Sequence, residues 1–230
     1  MALNERQNQI IKLLEKERRL SVATLAKTLF ASEMTIRRDL KLLEREGLLK
    51  RYHGGALVQN DYIEYPLALR LHVNEKEKRE LAMRVSQYVK DGQTIFLTNS
   101  SSCAYIIPSL KNYKNLLVIT NSVQFATALS HLEIKCILAG GEYRESENCL
   151  VGRETERFLR SVNADIAFLS CDGCSDDGVI TVNDAANAEI VKIAYQNSLK
   201  RIFLVHRSKL GSKYTYTICK TDEADEIIVF

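Results

Sequence analysis

Basic and hydroxyl side chains are concentrated in residues 32–41 of the chain. Thr35, Arg38 and Lys41 follow each other at intervals of three, a spacing that places them in one stripe along a helix, with Arg37 beside them. Arginine forks can bond guanine edges or phosphates, and short hydroxyls at a helix N-terminus can bond phosphates. A helix in the major groove of DNA makes these contacts, whereas the alternative is a charged face that only meets solvent.

Three short helices are predicted around this stripe, and its position on the last of them favours DNA contact over a solvated face. The spacing of apolar residues predicts helices over residues 4–17, directly after Ser21, and over residues 33–46. Ser21 and Ser32 are the predicted N-caps of the second and third helices, and Gly47 is the predicted C′ residue of the third. This pattern predicts a helix-turn-helix.

A β-hairpin is predicted directly after the third helix. Two short apolar runs flank Gly54 and Gly55 within residues 48–58, which is the pattern of two strands joined by a tight turn. A hairpin in this place is a wing, which touches the DNA backbone or the minor groove. Its basic side chains are those of Lys50, Arg51 and His53.

Charge is distributed unevenly over the 230 residues. Residues 1–56 contain 12 lysines and arginines against 7 acidic residues, whereas residues 57–230 contain 20 against 22. A basic head on a slightly acidic body fits a chain of which one part meets a polyanion. A chance fluctuation of surface charge explains the numbers equally well.

Composition argues against several classes of protein. The sequence has no run of about eighteen apolar residues and no basic segment followed by an apolar one at its start, so we expect no membrane span, no signal peptide and a cytoplasmic protein. The six cysteines are expected to be free thiols. Cys171 and Cys174 form a lone CxxC without the second pair that a structural zinc site needs, so we expect no metal and no cofactor.

The pattern changes after residue 74 to helices that alternate with short apolar runs. Such runs predict buried parallel strands, and therefore an α/β domain with a mostly parallel sheet. The predicted strands are residues 94–97, 116–119, 136–138, 166–169 and 202–205. We expect a winged helix-turn-helix domain over residues 1–58, a linker over 59–74 and an α/β effector-sensing domain over 75–230.

Small polar residues follow most of these predicted strands. Sheets of this kind bind ligands beyond the carboxyl ends of their strands, where hydroxyls and backbone N–H groups can hold a phosphate. Lys209 adds a positive charge, and the alternative is that these residues merely form turns. The predicted effector-binding residues at these ends are Thr98, Asn99, Ser100, Ser101, Ser102, Asn121, Ser122, Gly140, Gly141, Asp172 and Lys209.

The head contains an ordered string that runs from Thr35-Ile36-Arg37-Arg38-Asp39-Leu40 through Leu43-Glu44 and Gly47 to Arg51-Tyr52-His53-Gly54-Gly55-Ala56. It resembles the DeoR family of bacterial repressors. The resemblance implies a repressor of sugar-metabolism genes that binds double-stranded operator DNA as a homo-oligomer, a dimer or a tetramer. It also implies DNA contacts by Ser32, Thr35, Arg37, Arg38 and Lys41, and wing contacts by Arg51, His53 and Gly54.

The rest of the chain is similar to the sensor domain of that family, which is in turn similar to sugar-phosphate isomerases. The matching residues are Glu75-Lys76, Asp91-Gly92, Thr120-Asn121-Ser122, Gly140-Gly141, Gly152, Asp172-Gly173, Glu189, Lys192, Ser208-Lys209 and Gly211. This likeness implies a phosphorylated sugar as the small-molecule effector. It also adds Glu189 and Lys192 to the effector-binding residues.

Four positions depart from the family pattern. Thr98 and His206 stand where the family commonly has Asp, and Ser100 and Ser170 stand where it commonly has a glycine. A carboxylate accepts hydrogen bonds from sugar hydroxyls, and Thr98 is a weaker, neutral replacement for it.

Two alternative functions stay open, and no catalytic residue is predicted. One is an isomerase-like enzyme, which would need a general base such as a carboxylate. The other is a regulator whose sensor domain only oligomerises. The candidate bases for the enzyme alternative are Asp172, Asp184 and Glu189.

Overall fold

The computed structural model describes residues 3–17, 19–45, 49–57 and 67–230. The chain divides into two compact units, Met1–Val73 and Asn74–Phe230. Because residues 58–66 lie outside the described ranges, the boundaries of the predicted linker remain predictions. Among the described residues, none of the helices has the length and the apolar character needed to cross a membrane.

The first unit, which we call the head, is built from short helices and a small sheet. Its elements are α1 (Glu5–Glu17), β1 (Arg19–Ser21), α2 (Val22–Thr28), α3 (Glu33–Arg45), β2 (Lys50–Tyr52), β3 (Gly55–Leu57) and α4 (Leu67–Arg70). The predicted caps are confirmed, since Ser21 Oγ accepts from Thr24 N at 3.0 Å and Ser32 Oγ accepts from Thr35 N at 3.2 Å. Gly47 lies outside the described residues.

The core of the head joins its helices and its sheet. The largest apolar side chains turn inward at the helical spacing read from the sequence. The buried residues are Ile10, Ile11, Leu14, Val22, Leu25, Ile36, Leu40, Leu43, Leu49 and Ala56.

The predicted hairpin is confirmed, and a further strand joins it. β2 and β3 are antiparallel, and β1 pairs with the free edge of β3, so that β3 is the central strand. Gly54 turns the hairpin with a φ of +94°, a conformation that favours glycine. A Cβ at Gly55 would meet the Leu20 carbonyl oxygen at 2.3 Å, so only glycine allows β1 to approach this closely.

A short helix lies within the predicted linker. α4 begins at Leu67, where the sequence analysis expected irregular chain. The segment Leu67-Ala68-Leu69-Arg70 consists of strong helix formers, a local signal that the absence of longer periodicity had hidden.

The second unit, which we call the sensor, alternates strands and helices. Its helices are α5 (Glu75–Val85), α6 (Ser101–Ala104), α7 (Ile107–Leu110), α8 (Val123–His131), α9 (Arg153–Arg160) and α10 (Ala185–Gln196). Its strands are β4 (Thr94–Leu97), β5 (Leu117–Thr120), β6 (Lys135–Leu138), β7 (Glu142–Arg144), β8 (Cys149–Val151), β9 (Ala164–Ser170), β10 (Gly173–Cys174), β11 (Val179–Val182), β12 (Ser198–Val205), β13 (Tyr216–Lys220) and β14 (Glu226–Val229).

Six of the described strands form one parallel sheet in the order β14-β12-β9-β4-β5-β6. The predicted parallel α/β sheet is therefore confirmed, and β14 is an edge strand that the sequence analysis had not identified. Phe96, Phe168 and Phe203 are fully buried on neighbouring strands, as expected for a sheet covered by helices.

Two small antiparallel sheets, β10-β11-β13 and β7-β8, flank the main sheet and were not predicted. The CxxC lies where β9 leads into β10. Cys171 and Cys174 are buried free thiols, and burial raises the pKa of Cys171 to about 11. These thiols contribute to the apolar core of the sensor.

Candidate functional site

The exposed face of α3 carries the predicted basic stripe. Arg37, Arg38 and Lys41 are exposed and Thr35 is half-buried. Arg37 Nη2 lies 3.2 Å from Glu33 Oε2, so its guanidinium is paired along the helix. Within the described part of the chain, Arg38 and Lys41 make no hydrogen bond or ion pair, which leaves their charges available to a ligand.

The N-terminus of α3 presents two hydroxyls. Ser32 Oγ caps the helix and lies 2.8 Å from Thr35 Oγ1, so the two side chains hold each other in place. The free N–H groups of the first turn and the helix dipole favour a phosphate at such a terminus. The predicted residues Ser32, Thr35, Arg38 and Lys41 thus share one surface of α3.

A buried carboxylate fixes α3 against α1, and the sequence analysis did not identify it. Asp39 accepts from Arg6 Nε at 2.6 Å and from Gln7 Nε2 at 3.3 Å. The same hydrogen bond raises the pKa of Arg6. Asp39 follows Ile36 by three residues and precedes Leu43 by four, and this inward spacing of a polar residue was the available signal.

Arg51 joins the wing to α3. Its backbone N and its Nε donate to the two carboxylate oxygens of Glu44 at 2.8 and 2.7 Å. Predicted as a DNA contact, Arg51 therefore also has a structural partner. His53 and Gly54 form the exposed turn, and the Gly54 carbonyl accepts from Val22 N at 2.8 Å, which ties the turn to the start of α2.

In the sensor, the carboxyl ends of β12, β9, β4 and β5 lie side by side, because these strands are parallel neighbours. The strand order reverses at β4, since β5 lies on one side of it and β9 on the other. Ligands of open α/β sheets bind at such a switch point. The predicted residues that this edge brings together are Thr98, Asn99, Ser100, Ser101, Ser102, Asn121, Ser122, Asp172 and Lys209.

The loop after β4 is almost completely buried. Thr98 Oγ1 donates to the Phe168 carbonyl at 3.2 Å, and Cys103 Sγ donates to the same carbonyl at 3.3 Å. Ser100 Oγ caps the short helix α6 by accepting from Cys103 N at 3.1 Å. Burial raises the pKa of Cys103 to about 11. The Thr98 and Ser100 side chains thus hold the loop in shape.

Cationic groups gather at the end of this edge formed by β9 and β12. Lys209 Nζ contacts the Cys171 carbonyl and lies 3.5 Å from Ser170 Oγ. Burial lowers the pKa of His206; the charge of Glu77 opposes this shift, and the charges of Lys209, Lys78 and Arg207 add to it. Lys78 is only 5% exposed and was not identified from the sequence, although it precedes the inward-facing Leu81 of α5 by three residues.

Gly140 and Gly141, which follow the edge strand β6, both meet Thr155 of α9, but only Gly141 must be glycine. Thr155 Oγ1 donates to the Gly140 carbonyl at 2.7 Å, and a Cβ at Gly140 would meet nothing in the described part of the chain. A Cβ at Gly141 would lie 1.9 Å from Thr155 Oγ1. Gly141 thus allows α9 to approach the end of β6 closely.

The remaining predicted effector residues have other partners or positions. Asp172 Oδ2 accepts from Asn183 N at 2.8 Å, which joins the second residue after β9 to the first residue after β11. Glu189 is paired with Arg160 between α10 and α9. Lys192 is half-buried on α10, so neither Glu189 nor Lys192 lies in a loop at the strand ends.

Two family models match the chain. A DeoR-like helix-turn-helix domain matches residues 6–61, and the DeoR C terminal sensor domain matches residues 73–229. Together they include the stripe on α3, the wing and the strand-end residues of the sensor.

Curated relatives match over nearly the whole chain. The glycerol-3-phosphate regulon repressor of Escherichia coli is 29% identical over 92% of this chain and 84% of the repressor. The lactose phosphotransferase system repressor of Lactococcus lactis is 31% identical, over 91% of this chain and 84% of its own length. The L-fucose operon activator of Escherichia coli is 30% identical, over 97% of this chain and 93% of its own length.

Solved structures are similar in fold alone. A chain of the tetrameric eIF2B-beta2-delta2 complex from C. thermophilum superposes with a TM-score of 0.50 at 14% identity, over 66% of this chain and 54% of that chain. Ribose 5-phosphate isomerase A from Methanocaldococcus jannaschii gives a TM-score of 0.45 at 23% identity, over 60% of this chain and 55% of that chain. This chain spans about half the length of both. From the two family models and the near-complete coverage of curated regulators, the chain belongs to the DeoR family.

Proposed function

We propose that the protein is a DNA-binding repressor of sugar-metabolism genes, and that a phosphorylated sugar controls its binding to the operator. The observation that carries the proposal is the exposed stripe on α3, in which Arg38 and Lys41 have no partner among the described residues. A wing directly follows this helix. The names of the related repressors, which refer to a glycerol-3-phosphate regulon and to a lactose phosphotransferase system, support the sugar class.

The proposed contacts divide into base and phosphate contacts. Arg38 reads a base edge, since it is exposed and its guanidinium fork matches guanine. Lys41 and the capped N-terminus of α3 bind phosphates. Arg37 reaches DNA by exchanging Glu33 for a phosphate, and His53 and Gly54 contact the backbone through the wing.

Equilibrium DNA binding by wild type, Arg38→Ala and Lys12→Ala tests the proposal. Lys12 is exposed on α1, so its substitution removes one charge from the head outside the stripe. On a fragment from upstream of its own gene, we expect Arg38→Ala to lose about 1–3 kcal/mol of specific binding. Lys12→Ala should leave the ratio of specific to random binding unchanged.

Two results would count against this assignment. Equal losses by Arg38→Ala on specific and random DNA would reassign Arg38 to a phosphate. Wild-type protein that binds its upstream fragment no more tightly than random DNA at ordinary salt would contradict the function itself.

The proposed effector is an anionic sugar derivative bound at the carboxyl ends of β12, β9, β4 and β5. Lys209 supplies positive charge at this edge, and the neighbouring loops supply hydroxyls and amides. Binding alters DNA affinity only if the effector prefers one state of the protein. A rise of the unfolding midpoint with a sugar phosphate tests binding, and no shift with any compound would favour a sensor that only oligomerises.

We propose that the chain has no isomerase activity. Each candidate base is already engaged: Asp172 by Asn183 N, Glu189 by Arg160, and Asp184 by Asn187 N and Arg144. A general base must be free to reach the proton it removes. Turnover of any pentose or hexose phosphate by the pure protein would refute this.

We also propose a homo-oligomer, because helix-turn-helix heads read paired half-sites. Since its partner is operator DNA, the protein is proposed to act in the cytoplasm. Light scattering on the purified protein tests the assembly, and a monomer at the concentrations that saturate DNA would exclude it.

A further inference from the structure

Two buried asparagines lie at the carboxyl ends of adjacent strands in the sensor. Asn99, 7% exposed, follows β4, and Asn121, 1% exposed, follows β5. Asn99 Nδ2 donates to the Glu147 carbonyl and Asn121 Nδ2 to the Leu150 carbonyl, both at 3.0 Å. The Oδ1 atoms of both side chains are buried and have no hydrogen-bond partner among the described residues.

The direction of these two amides is fixed by their partners. A backbone carbonyl only accepts hydrogen bonds, so the nitrogen of each amide must face it and the oxygen must face away. Buried acceptors are nearly always satisfied in folded proteins, and an unsatisfied one is costly. Two such oxygens at one edge of the sheet indicate that a donor is missing from both.

We propose that the Oδ1 atoms of Asn99 and Asn121 accept hydrogen bonds from uncharged hydroxyl groups of the effector. The inference rests on the proposed function and specifies which part of the effector these residues recognise. A neutral amide oxygen suits a hydroxyl, whereas a phosphate or carboxylate offers only acceptors and would be rejected. The anionic group of the effector therefore lies toward Lys209, and its hydroxyl groups lie at the carboxyl ends of β4 and β5.

Asn99 follows residue 98, where this chain departs from the family pattern. The Thr98 side chain is uncharged, and its hydroxyl proton is already donated to the Phe168 carbonyl. The Asn99 side chain bonds the Glu147 carbonyl and not the Phe168 carbonyl, so its amide oxygen is an acceptor in the same loop at a different place.

Residues 145–150 cover the two amides and connect the subsite to the rest of the sensor. Besides the two amide bonds, Leu150 N donates to the Asn121 carbonyl at 2.8 Å and Val123 N donates to the Asn148 carbonyl at 3.1 Å. Entry of a hydroxyl requires this segment to move, because both Oδ1 atoms are closed to solvent. Each amide would then bond the effector through its oxygen and the segment through its nitrogen, and the two bonds reinforce each other.

Calorimetric titration of the full-length protein with matched sugar phosphates tests the proposal. The probes are D-ribose 5-phosphate with 2-deoxy-D-ribose 5-phosphate, and D-glucose 6-phosphate with its 2-deoxy and 3-deoxy analogues. We expect a deoxy analogue to bind wild type about 2- to 13-fold more weakly than its parent, the equivalent of about 0.5–1.5 kcal/mol for one hydrogen bond. In Asn99→Leu or Asn121→Leu this discrimination should fall to about 1-fold, since the acceptor is gone.

Asn197→Leu is the matched control. Asn197 also donates its Nδ2 to backbone carbonyls, those of Leu159 and Val162, so its loss causes a similar structural defect on other elements. It should keep the discrimination between parent and deoxy compound. If the leucine variants at 99 and 121 do not fold, Asn99→Ser and Asn121→Ser take their place, because serine shortens the side chain and withdraws the acceptor.

The outcomes separate this inference from the proposed function. Deoxy analogues that all bind wild type as tightly as their parents, or discrimination that survives in the variants at both positions, would overturn the inference. If binding is nevertheless weakened by Lys209→Ala, the effector class stands. A wild-type protein that binds none of the probes would reject the effector class and this inference with it.

Discussion

The Glu44–Arg51 pair offers a test in which two physical effects have opposite signs. Glu44 accepts two hydrogen bonds from Arg51, at 2.8 and 2.7 Å, and so joins α3 to β2 of the wing. Its negative charge, however, repels DNA phosphates. Glu44→Gln removes the charge but keeps an oxygen for the Arg51 N–H, whereas Glu44→Ala removes both, so the difference between the two variants isolates the positioning of the wing.

The expected magnitude follows from the exposure of the pair. The side chains of Arg51 and Glu44 are 39% and 36% exposed, so the pair is largely screened by solvent. Exposed pairs contribute about 0.2–1 kcal/mol of free energy. If the pair holds the wing in place with about 0.5–1 kcal/mol, its loss makes operator binding about 2- to 5-fold weaker in Glu44→Ala than in Glu44→Gln. Alanine is the slightly better helix former, so helix propensity cannot produce this difference.

Fluorescence anisotropy with operator duplex across a series of salt concentrations is the appropriate assay. Both variants carry the same charge, so we expect the same slope of log K against log salt for the two, with Glu44→Ala the weaker binder throughout. Equal affinities would refute the idea that the pair positions the wing. If both variants bind more tightly than wild type and equally well, repulsion between Glu44 and the DNA phosphates is the only effect of Glu44 on binding.

Three further predictions concern Asp39, two buried thiols and the half-buried Lys209. Asp39→Ala should cost about 1–3 kcal/mol in urea unfolding of the head, because it removes the acceptor for two hydrogen bonds between α3 and α1; an unchanged midpoint would contradict this. Cys103 and Cys171, whose pKa values are raised to about 11, should remain protonated at pH 8 and resist iodoacetamide until the protein is unfolded in urea. Peptide mass spectrometry measures this, and labelling in the folded state would mean that these thiols open to solvent. Lys209→Ala should abolish the change in DNA affinity caused by a sugar phosphate while sparing DNA binding itself; loss of both would make its contacts with Ser170 and Cys171 structural.

Features of the head that depend on neighbouring residues could be predicted from the sequence. Ser21 and Ser32 act within one helical turn, and Gly54 sets the hairpin turn by its own φ. β1 could not be predicted, because Arg19–Ser21 is three residues long and pairs with β3 far along the chain. Its register depends on a tertiary contact that no local pattern encodes.

Buried polar residues were the systematic omission. Asp39 and Lys78 lie on the inner faces of α3 and α5, yet their types suggest surface positions. A polar residue is tolerated there only when a partner meets it, and for Asp39 that partner is Arg6 on another helix. Spacing alone indicates the inward direction but does not identify the partner.

In the sensor, five of the six strands of the main sheet could be predicted, but the other strands and the roles of several site residues could not. Continuous apolar runs identify buried strands, whereas β11 and β13 lie outside the main sheet, and the pairing between them is a tertiary contact. Gly141 and Glu189 were chosen by residue type and resemblance. The structure gives them a close approach to Thr155 and an ion pair with Arg160, which depend on how α9 packs.

The order of strands in the sensor has a consequence for synthesis of the chain. β4 pairs with β9, which lies about 70 residues further along, and contacts so distant in sequence form slowly. The helices of the head, by contrast, contact each other within the first 45 residues. Domains fold in the order in which they leave the ribosome. We therefore expect a growing chain to carry a folded head well before β9, β12 and finally β14 complete the sheet, so that a ribosome-bound fragment can reach DNA before the proposed effector site exists.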